Sequence, residues 1–352
     1  MGEFANQLAD SVRQTEFLKH DVDDMKKNIA VIGCGHWGKN LVRNFAELKA
    51  LASVCDPNSD LAAKFARDFG VSARSFEDII ADSEIEGIVL AVPAPLHAEL
   101  AILAMNSGKH VYVEKPLAMN ELEARQMIDT SKDKNVSLMV GHLLQYHPIF
   151  VALRALVESG ELGDLSYIYS NRLSFGKVRS EEDVIWSFAP HDISMILSLT
   201  GESPNLVRTD AASILQPGIA DTATIHMDFP SGLKAHVSVS WLHPYKEQKL
   251  VVVGGSAMAV FDDTNPWGEK LALYRHAIDF SGDLGNMKKS EVEYLDIVQS
   301  EPLRDECQHF IDVISKGVHP LTDGKEGLSV LKVLSAASLS QIQNDAIKVE
   351  NI

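Results

Sequence analysis

Gly33, Gly35 and Gly38 in the run VIGCGHWG leave the chain few choices, because they stand in the spacing G-x-G-x-x-G immediately after the β-branched run IAVIG. The next residues, HWGKNLVRNFAEL, repeat apolar side chains at helical intervals, so the turn joins a strand to a helix. In that setting Gly33 permits the tight turn and Gly35 lets backbone approach a pyrophosphate. Gly38 allows close helix–strand contact, with His36 and Trp37 lying between the second and third glycines at the positive helix end. The following strand, LASVCD, ends at Asp56, eighteen residues beyond Gly38, where a carboxylate would accept hydrogen bonds from ribose hydroxyls. Together these features predict dinucleotide binding; the competing reading is a glycine turn kept only for packing. The charge of Asp56 repels a 2′-phosphate, and Pro57-Asn58 supplies no arginine to accept one, so NAD is expected over NADP.

The alternation of short apolar strands with helical patterns continues to VSLMVGH, as expected for a doubly wound parallel sheet covered on both faces. Beyond Gly141 the rhythm changes to longer runs with period-two alternation, among them LSYIYSNRLSF, ATIHMDF and LKAHVSVSW, predicting an α+β unit built on a large, mainly antiparallel open sheet. The expected division is an N-terminal extension at 1–27, an NAD-binding Rossmann domain at 28–145, and a substrate-binding and oligomerisation domain at 146–352. The last helix is expected to return toward the first domain. One exposed sheet face in the second domain points to a homodimer or homotetramer.

A net charge of −17 repels a phosphate backbone, so no nucleic-acid partner is expected. No stretch reaches the roughly 18 apolar residues of a membrane span. The cysteines, Cys34, Cys55 and Cys307, have neither a disulfide framework nor a metal spacing, which fits a cytoplasmic protein; no His/Asp/Glu cluster suggests a metal.

The run VYVEKPLA ends a strand in Glu114-Lys115-Pro116, and the carboxyl ends of such strands line the ligand crevice. Pro116 restricts Lys115 to an extended backbone. A solvated lysine at a strand end is the plainer alternative.

With VIGCGHWG, VPAPLHAE after the fourth strand, EKPLA after the fifth and an antiparallel second domain, residues 28 to 345 resemble the glucose–fructose oxidoreductase/inositol dehydrogenase/MocA family. The resemblance implies an NAD(P)-dependent enzyme acting on a sugar or cyclitol carbon, with Lys115 near the reacting hydroxyl. It also implies that Pro93, His97 and Glu114 lie on the cofactor side. The runs NRLSFGKVRSEEDVIWSFAPHDIS and VSWLHPYKEQKLVVVGG look most like the branch of UDP-N-acetylglucosamine or UDP-N-acetylglucosaminuronate 3-dehydrogenases, whose substrates are UDP-sugars.

The family pattern pairs the lysine with an aspartate and a histidine four residues later at a helix start. Mapped here, His191 is the histidine and Ser187 stands where the aspartate is expected. Three readings stay open: Ser187 hydrogen-bonds the substrate while Lys115 and His191 exchange protons; Asp183 or Asp192 reaches the site instead; or His191 and Asp192 are ordinary first-turn residues. Arg172, Lys177 and Arg179 form a basic cluster suited to the phosphates of a UDP group, or are simply solvated. Gln145, and more weakly Trp241 and His243, are expected to line the crevice. The rival functions are a free-sugar or inositol dehydrogenase and a non-catalytic dinucleotide-binding regulator.

Overall fold

A computed structural model describes residues 26–176, 179, 182–279 and 286–351, which fall into two compact units. Of the described residues, the first holds 26–146 and takes back Ser300–Leu331; the second holds those of 147–299 and 332–351.

The first unit runs β1 (Ile29–Ile32), α1 (Gly38–Glu47), β2 (Leu51–Cys55), α2 (Ser59–Phe69), β3 (Ser72–Ala73), α3 (Phe76–Ala81), β4 (Gly87–Leu90), α4 (His97–Asn106), β5 (His110–Glu114), α5 (Glu121–Asp133) and β6 (Leu138–Gly141). All strand pairings are parallel, in the order β3-β2-β1-β4-β5-β6. The order reverses between β1 and β4, so the switch point lies at the carboxyl ends of those two strands. Strands buried on both faces carry unbroken apolar runs: Ile29, Ala30 and Val31 are fully buried, as are Val111, Tyr112 and Val113.

In the second unit, α6 (Pro148–Glu158) is followed by β7 (Leu165–Phe175), α7 (Val184–Thr200), β8 (Leu206–Ala212), β9 (Thr222–Asp228), β10 (Lys234–Ser240), β11 (Leu242–Gly254), β12 (Ala257–Asp262), β13 (Leu271–Asp279) and β14 (Asn286–Tyr294). After α8 (Pro302–Lys316) and α9 (Gly324–Gln343) comes β15 (Ile347–Lys348). The nine-stranded sheet has the order β14-β13-β12-β11-β7-β10-β9-β8-β15 and is antiparallel except for β7 beside β10. Alternate residues of β9 and β10, such as Ile225, Met227, Ala235 and Val237, are buried.

Within the stretch 146–352, α8 groups with the first unit. Its apolar stripe, Leu303, Cys307, Phe310 and Ile311, shares one core with Phe45 and Tyr112, and Phe310 meets those two rings edge-on at centroid distances of 6.3 and 5.8 Å. The period of that stripe marks α8 as amphipathic but does not say which core it joins.

Candidate functional site

In a parallel sheet every strand ends at the same edge, which gathers Gly33, Asp56, Pro93, Glu114-Lys115 and Gly141 along one rim of the first unit. The three turn glycines do different work there. A Cβ on Gly33 would come within 2.4 Å of the Ala91 carbonyl oxygen, and one on Gly38 within 1.9 Å of the Gly33 carbonyl oxygen. Gly33 also has φ +95°, a left-handed value that suits glycine. At Gly35 a Cβ would meet nothing within 4 Å. Gly33 and Gly38 are therefore required by the fold, while Gly35 keeps open the space at the start of α1, whose first turn holds no acidic side chain.

Asp56 is fixed by backbone. Its Oδ2 accepts from the Cys34 N–H at 2.7 Å and its Oδ1 from the Asn58 N–H at 2.8 Å, so a carboxylate charge stands beside the glycine turn. The open cradle at Gly35, the uncapped helix start and the oriented carboxylate fit a dinucleotide: Gly35, His36 and Trp37 would meet its phosphates and Asp56 a ribose.

Across the switch point, Glu114 closes β5. Its Oε1 accepts from the Trp37 indole Nε1–H at 2.6 Å and from the Tyr112 hydroxyl at 3.2 Å. Burial pushes this carboxyl above the ordinary range, against the opposing pull of the Trp37 N–H and the Lys115 charge. Lys115 follows, partly buried, and is joined to Pro116 by a cis peptide bond.

His97 is almost wholly buried, with Nδ1 2.8 Å from the Pro116 carbonyl oxygen and Nε2 3.0 Å from the Val92 carbonyl oxygen. Both ring nitrogens thus face backbone, and the ring ties the residue after Lys115 to the loop before Pro93. It thereby holds the two loops that flank Pro93 and Lys115 in place. Burial lowers its pKa. Gln145 is also buried, in the 3-10 turn Leu143–Tyr146.

In the second unit α7 starts about two turns earlier than the sequence suggests at His191: its first residue is Val184, and Asp183 caps it by accepting from the Trp186 N–H at 3.1 Å. The expectation of a helix start at His191 is wrong because Pro190 sits within the helix instead of opening it. Ser187 and His191, four residues apart, share one helix face; Ser187 is buried and His191 partly so.

Asp192 is no first-turn residue. Its carboxylate takes Arg172 Nε at 2.5 Å on Oδ2 and, on Oδ1, Arg172 Nη2 at 3.1 Å and the Ser170 hydroxyl at 2.5 Å. With Arg172 mostly buried and Asp192 almost wholly so, this is an internal bidentate pair. Arg172, expected to meet an anion of the substrate, is engaged here by Asp192. Arg179 is exposed and paired with Glu182, and Lys177 lies outside the described residues. Trp241 is fully buried and donates to Asp221 Oδ1 at 2.6 Å, so it lines no crevice; His243 Nδ1 lies 2.7 Å from the Tyr245 carbonyl oxygen.

Sequence reasoning missed Tyr112 and Glu306. Tyr112 lies two residues before Glu114, hence on the same strand face, a signal present in the alternation. Glu306 lies three residues after Leu303 on the apolar side of α8, and is fully buried. Among the described residues no group of three or more His, Cys, Asp or Glu could hold a metal ion, and no helix is long and apolar enough to cross a membrane.

A model of the oxidoreductase family with an NAD-binding Rossmann fold, GFO/IDH/MocA, matches residues 27–142, and a model of the GFO/IDH/MocA C-terminal domain matches 150–260. UDP-N-acetylglucosamine 3-dehydrogenase of Acidithiobacillus ferrooxidans is 28% identical over 302 residues, covering 86% of this chain and 93% of its own. Inositol 2-dehydrogenase of Rhizobium meliloti is 24% identical over 339 residues, covering 92% and 100%. The solved structure of the Acidithiobacillus enzyme gives a TM-score of 0.78 at 27% identity, covering 90% of this chain and 96% of that one.

Proposed function

Given that this chain belongs to the GFO/IDH/MocA oxidoreductase family, whose members here act on sugar hydroxyls, we propose that it oxidises a ring hydroxyl of a nucleotide-linked sugar with NAD. The favoured substrate is UDP-N-acetylglucosamine or its uronate, oxidised at the 3-hydroxyl. The observation that carries the chemistry is the Glu114-Lys115 pair at the carboxyl end of β5, on the same rim as the open turn at Gly35 and the oriented Asp56. The substrate class rests on the likeness to the Acidithiobacillus enzyme along 86% of the chain.

When bound, the dinucleotide supplies the hydride acceptor. The chain supplies the rest: in the first unit Lys115 is the candidate to take the hydroxyl proton and polarise the developing carbonyl, and in the second unit His191, with Ser187 one turn before it, is the candidate for proton exchange. Asp183 and Asp192 are set aside as bases, one capping α7 and the other paired with Arg172. NAD is preferred because the fixed charge of Asp56 disfavours a 2′-phosphate. Arg179, with Lys177, is the remaining candidate for the diphosphate. The partly exposed face of the second unit's sheet, which carries the stacked Tyr169 and His236 rings, supports a homodimer or homotetramer, and a cytoplasmic location fits the three free thiols.

The internal use of Arg172 favours keeping a second reading, an inositol or free-sugar dehydrogenase, since it removes one cation from the proposed diphosphate clamp. Purified protein is mixed with NAD and a panel of UDP-sugars, free sugars and inositols, with the keto product drawn off by an aminotransferase or hydroxylamine. Reduction of NAD by UDP-N-acetylglucosamine or its uronate is expected; reduction by inositols alone would select the second reading.

A further inference from the structure

Glu114 occupies an unusual position for a carboxyl group. It closes the strand that leads into Lys115, accepts the Trp37 indole N–H and the Tyr112 hydroxyl on one oxygen, and lies against the end of β6. There a Cβ on Gly141 would stand 3.0 Å from Glu114 Oε2 and 2.7 Å from the Tyr112 hydroxyl, so the absence of a side chain at Gly141 is what makes room for this carboxyl. Glu114 also stands on the β4–β5–β6 side of the switch point, across from Asp56. In a doubly wound sheet the two nucleotide halves lie on opposite sides of that point. With the adenosine ribose at Asp56, Glu114 belongs to the nicotinamide half.

From this placement we infer that Glu114 is the proton store of the reaction, a carboxylate while the cofactor is oxidised and a carboxylic acid once it is reduced. The inference rests on the cofactor reading given above. The oxidised nicotinamide ring is a cation and the reduced ring is neutral, so the loss of that charge removes support for an anion on its side of the rim. The step balances: the carbinol loses a hydride to the oxidised dinucleotide and its hydroxyl proton to the protein, through Lys115. With the proton on Glu114, a cation and a carboxylate are replaced by two neutral groups. No water-borne base is needed.

The other charged and titratable groups around Glu114 allow such a change. On its own strand stand Lys115, whose charge favours the carboxylate, and Tyr112, which donates to it. From α8 come Glu306, whose carboxyl burial and the Glu114 charge hold well above the ordinary range, and the buried Cys307 thiol, held high by burial and Glu306. The glycine turn brings the neutral indole of Trp37, and β6 the backbone of Gly141. Glu114 itself is raised by burial and held back mainly by Trp37 and Lys115, which leaves its proton balance open to a nearby charge.

The experiment needs no sugar. Binding of NAD and of NADH is measured by calorimetry in two buffers of different ionisation enthalpy across neutral pH, giving the protons taken up with each. Wild type is expected to take up more protons with NADH than with NAD, by up to about one per site, and Glu114→Gln to abolish the difference while still binding both forms. Trp37→Phe, which removes a donor to the carboxylate, is expected to move the midpoint of that difference to higher pH. An equal proton count for NAD and NADH in wild type, or a difference that survives in Glu114→Gln, would overturn the inference and leave the dehydrogenase reading standing. Failure to bind either nucleotide would overturn both.

Discussion

Arg172 and Asp192 join β7 to α7 through two parallel N–H to oxygen contacts, 2.5 Å from Nε and 3.1 Å from Nη2, with the Ser170 hydroxyl completing the carboxylate. Asp192 directly follows His191 in α7. It lies two residues after Pro190, where the helix lacks one backbone donor.

Removing one partner leaves a buried charge uncompensated. Arg172→Ala or Asp192→Ala is expected to cost about 3–5 kcal/mol, whereas the double change Arg172→Met with Asp192→Leu costs much less. Urea titrations of the three variants check this, and a near-neutral Asp192→Ala would show that the pair is solvated.

The turn glycines separate folding from binding. Gly38→Ala would drive a methyl into the Gly33 carbonyl, so both thermal stability and nucleotide binding are expected to fall. Gly35→Ala meets no neighbour, so its melting temperature stays near wild type while NAD affinity drops about tenfold or more, the methyl filling the space where backbone approaches the pyrophosphate. Scanning calorimetry beside titration with NAD reads the two effects separately.

Asp56 governs cofactor choice. Asp56→Ala removes an acceptor for the ribose and the charge that opposes a 2′-phosphate; NAD affinity is expected to fall roughly 10–100-fold, while NADP affinity falls less or rises. Equal losses for both nucleotides would contradict the assignment.

Glu306 makes stability depend on pH. Its carboxyl is raised in the folded protein, chiefly by burial, so the folded state resists ionisation that the unfolded chain undergoes at an ordinary pKa. Below that ordinary value both states are protonated and nothing is lost. As pH rises above it the unfolded state sheds its proton first and stability falls. Glu306→Gln, neutral throughout, is expected to melt a few degrees higher than wild type at pH 8 and no higher at pH 4. A gain of equal size at both pH values would place the ionisation elsewhere.

Local rules made most of the first unit legible. The G-x-G-x-x-G spacing, the acidic end of β2 and the alternation of short apolar strands with helices each follow from contacts within about thirty residues. What could not be read depends on contacts distant in sequence. Arg172 reads as a free cation until α7 brings Asp192 against it, twenty residues on. The membership of α8 in the first core rests on Phe310 meeting Phe45 and Tyr112, and the His97 ring is held by a carbonyl nineteen residues away. Trp241 reads as an aromatic rim residue, but its N–H is taken by buried Asp221. In α7 the apolar pattern runs through Pro190 without a break, so the proline looked like a helix start when Asp183 had already capped it.

The central claim is that Lys115 serves NAD-dependent oxidation of a nucleotide-linked sugar. It is tested most directly by reduction of NAD in a single turnover with UDP-N-acetylglucosamine or its uronate, comparing wild type with Lys115→Met after both are shown by calorimetry to bind NAD. The account predicts formation of reduced cofactor by wild type and a rate about 10²–10⁴-fold lower in the variant. Equal rates in the two proteins, or no reduced cofactor from either with the nucleotide sugars bound, would contradict it.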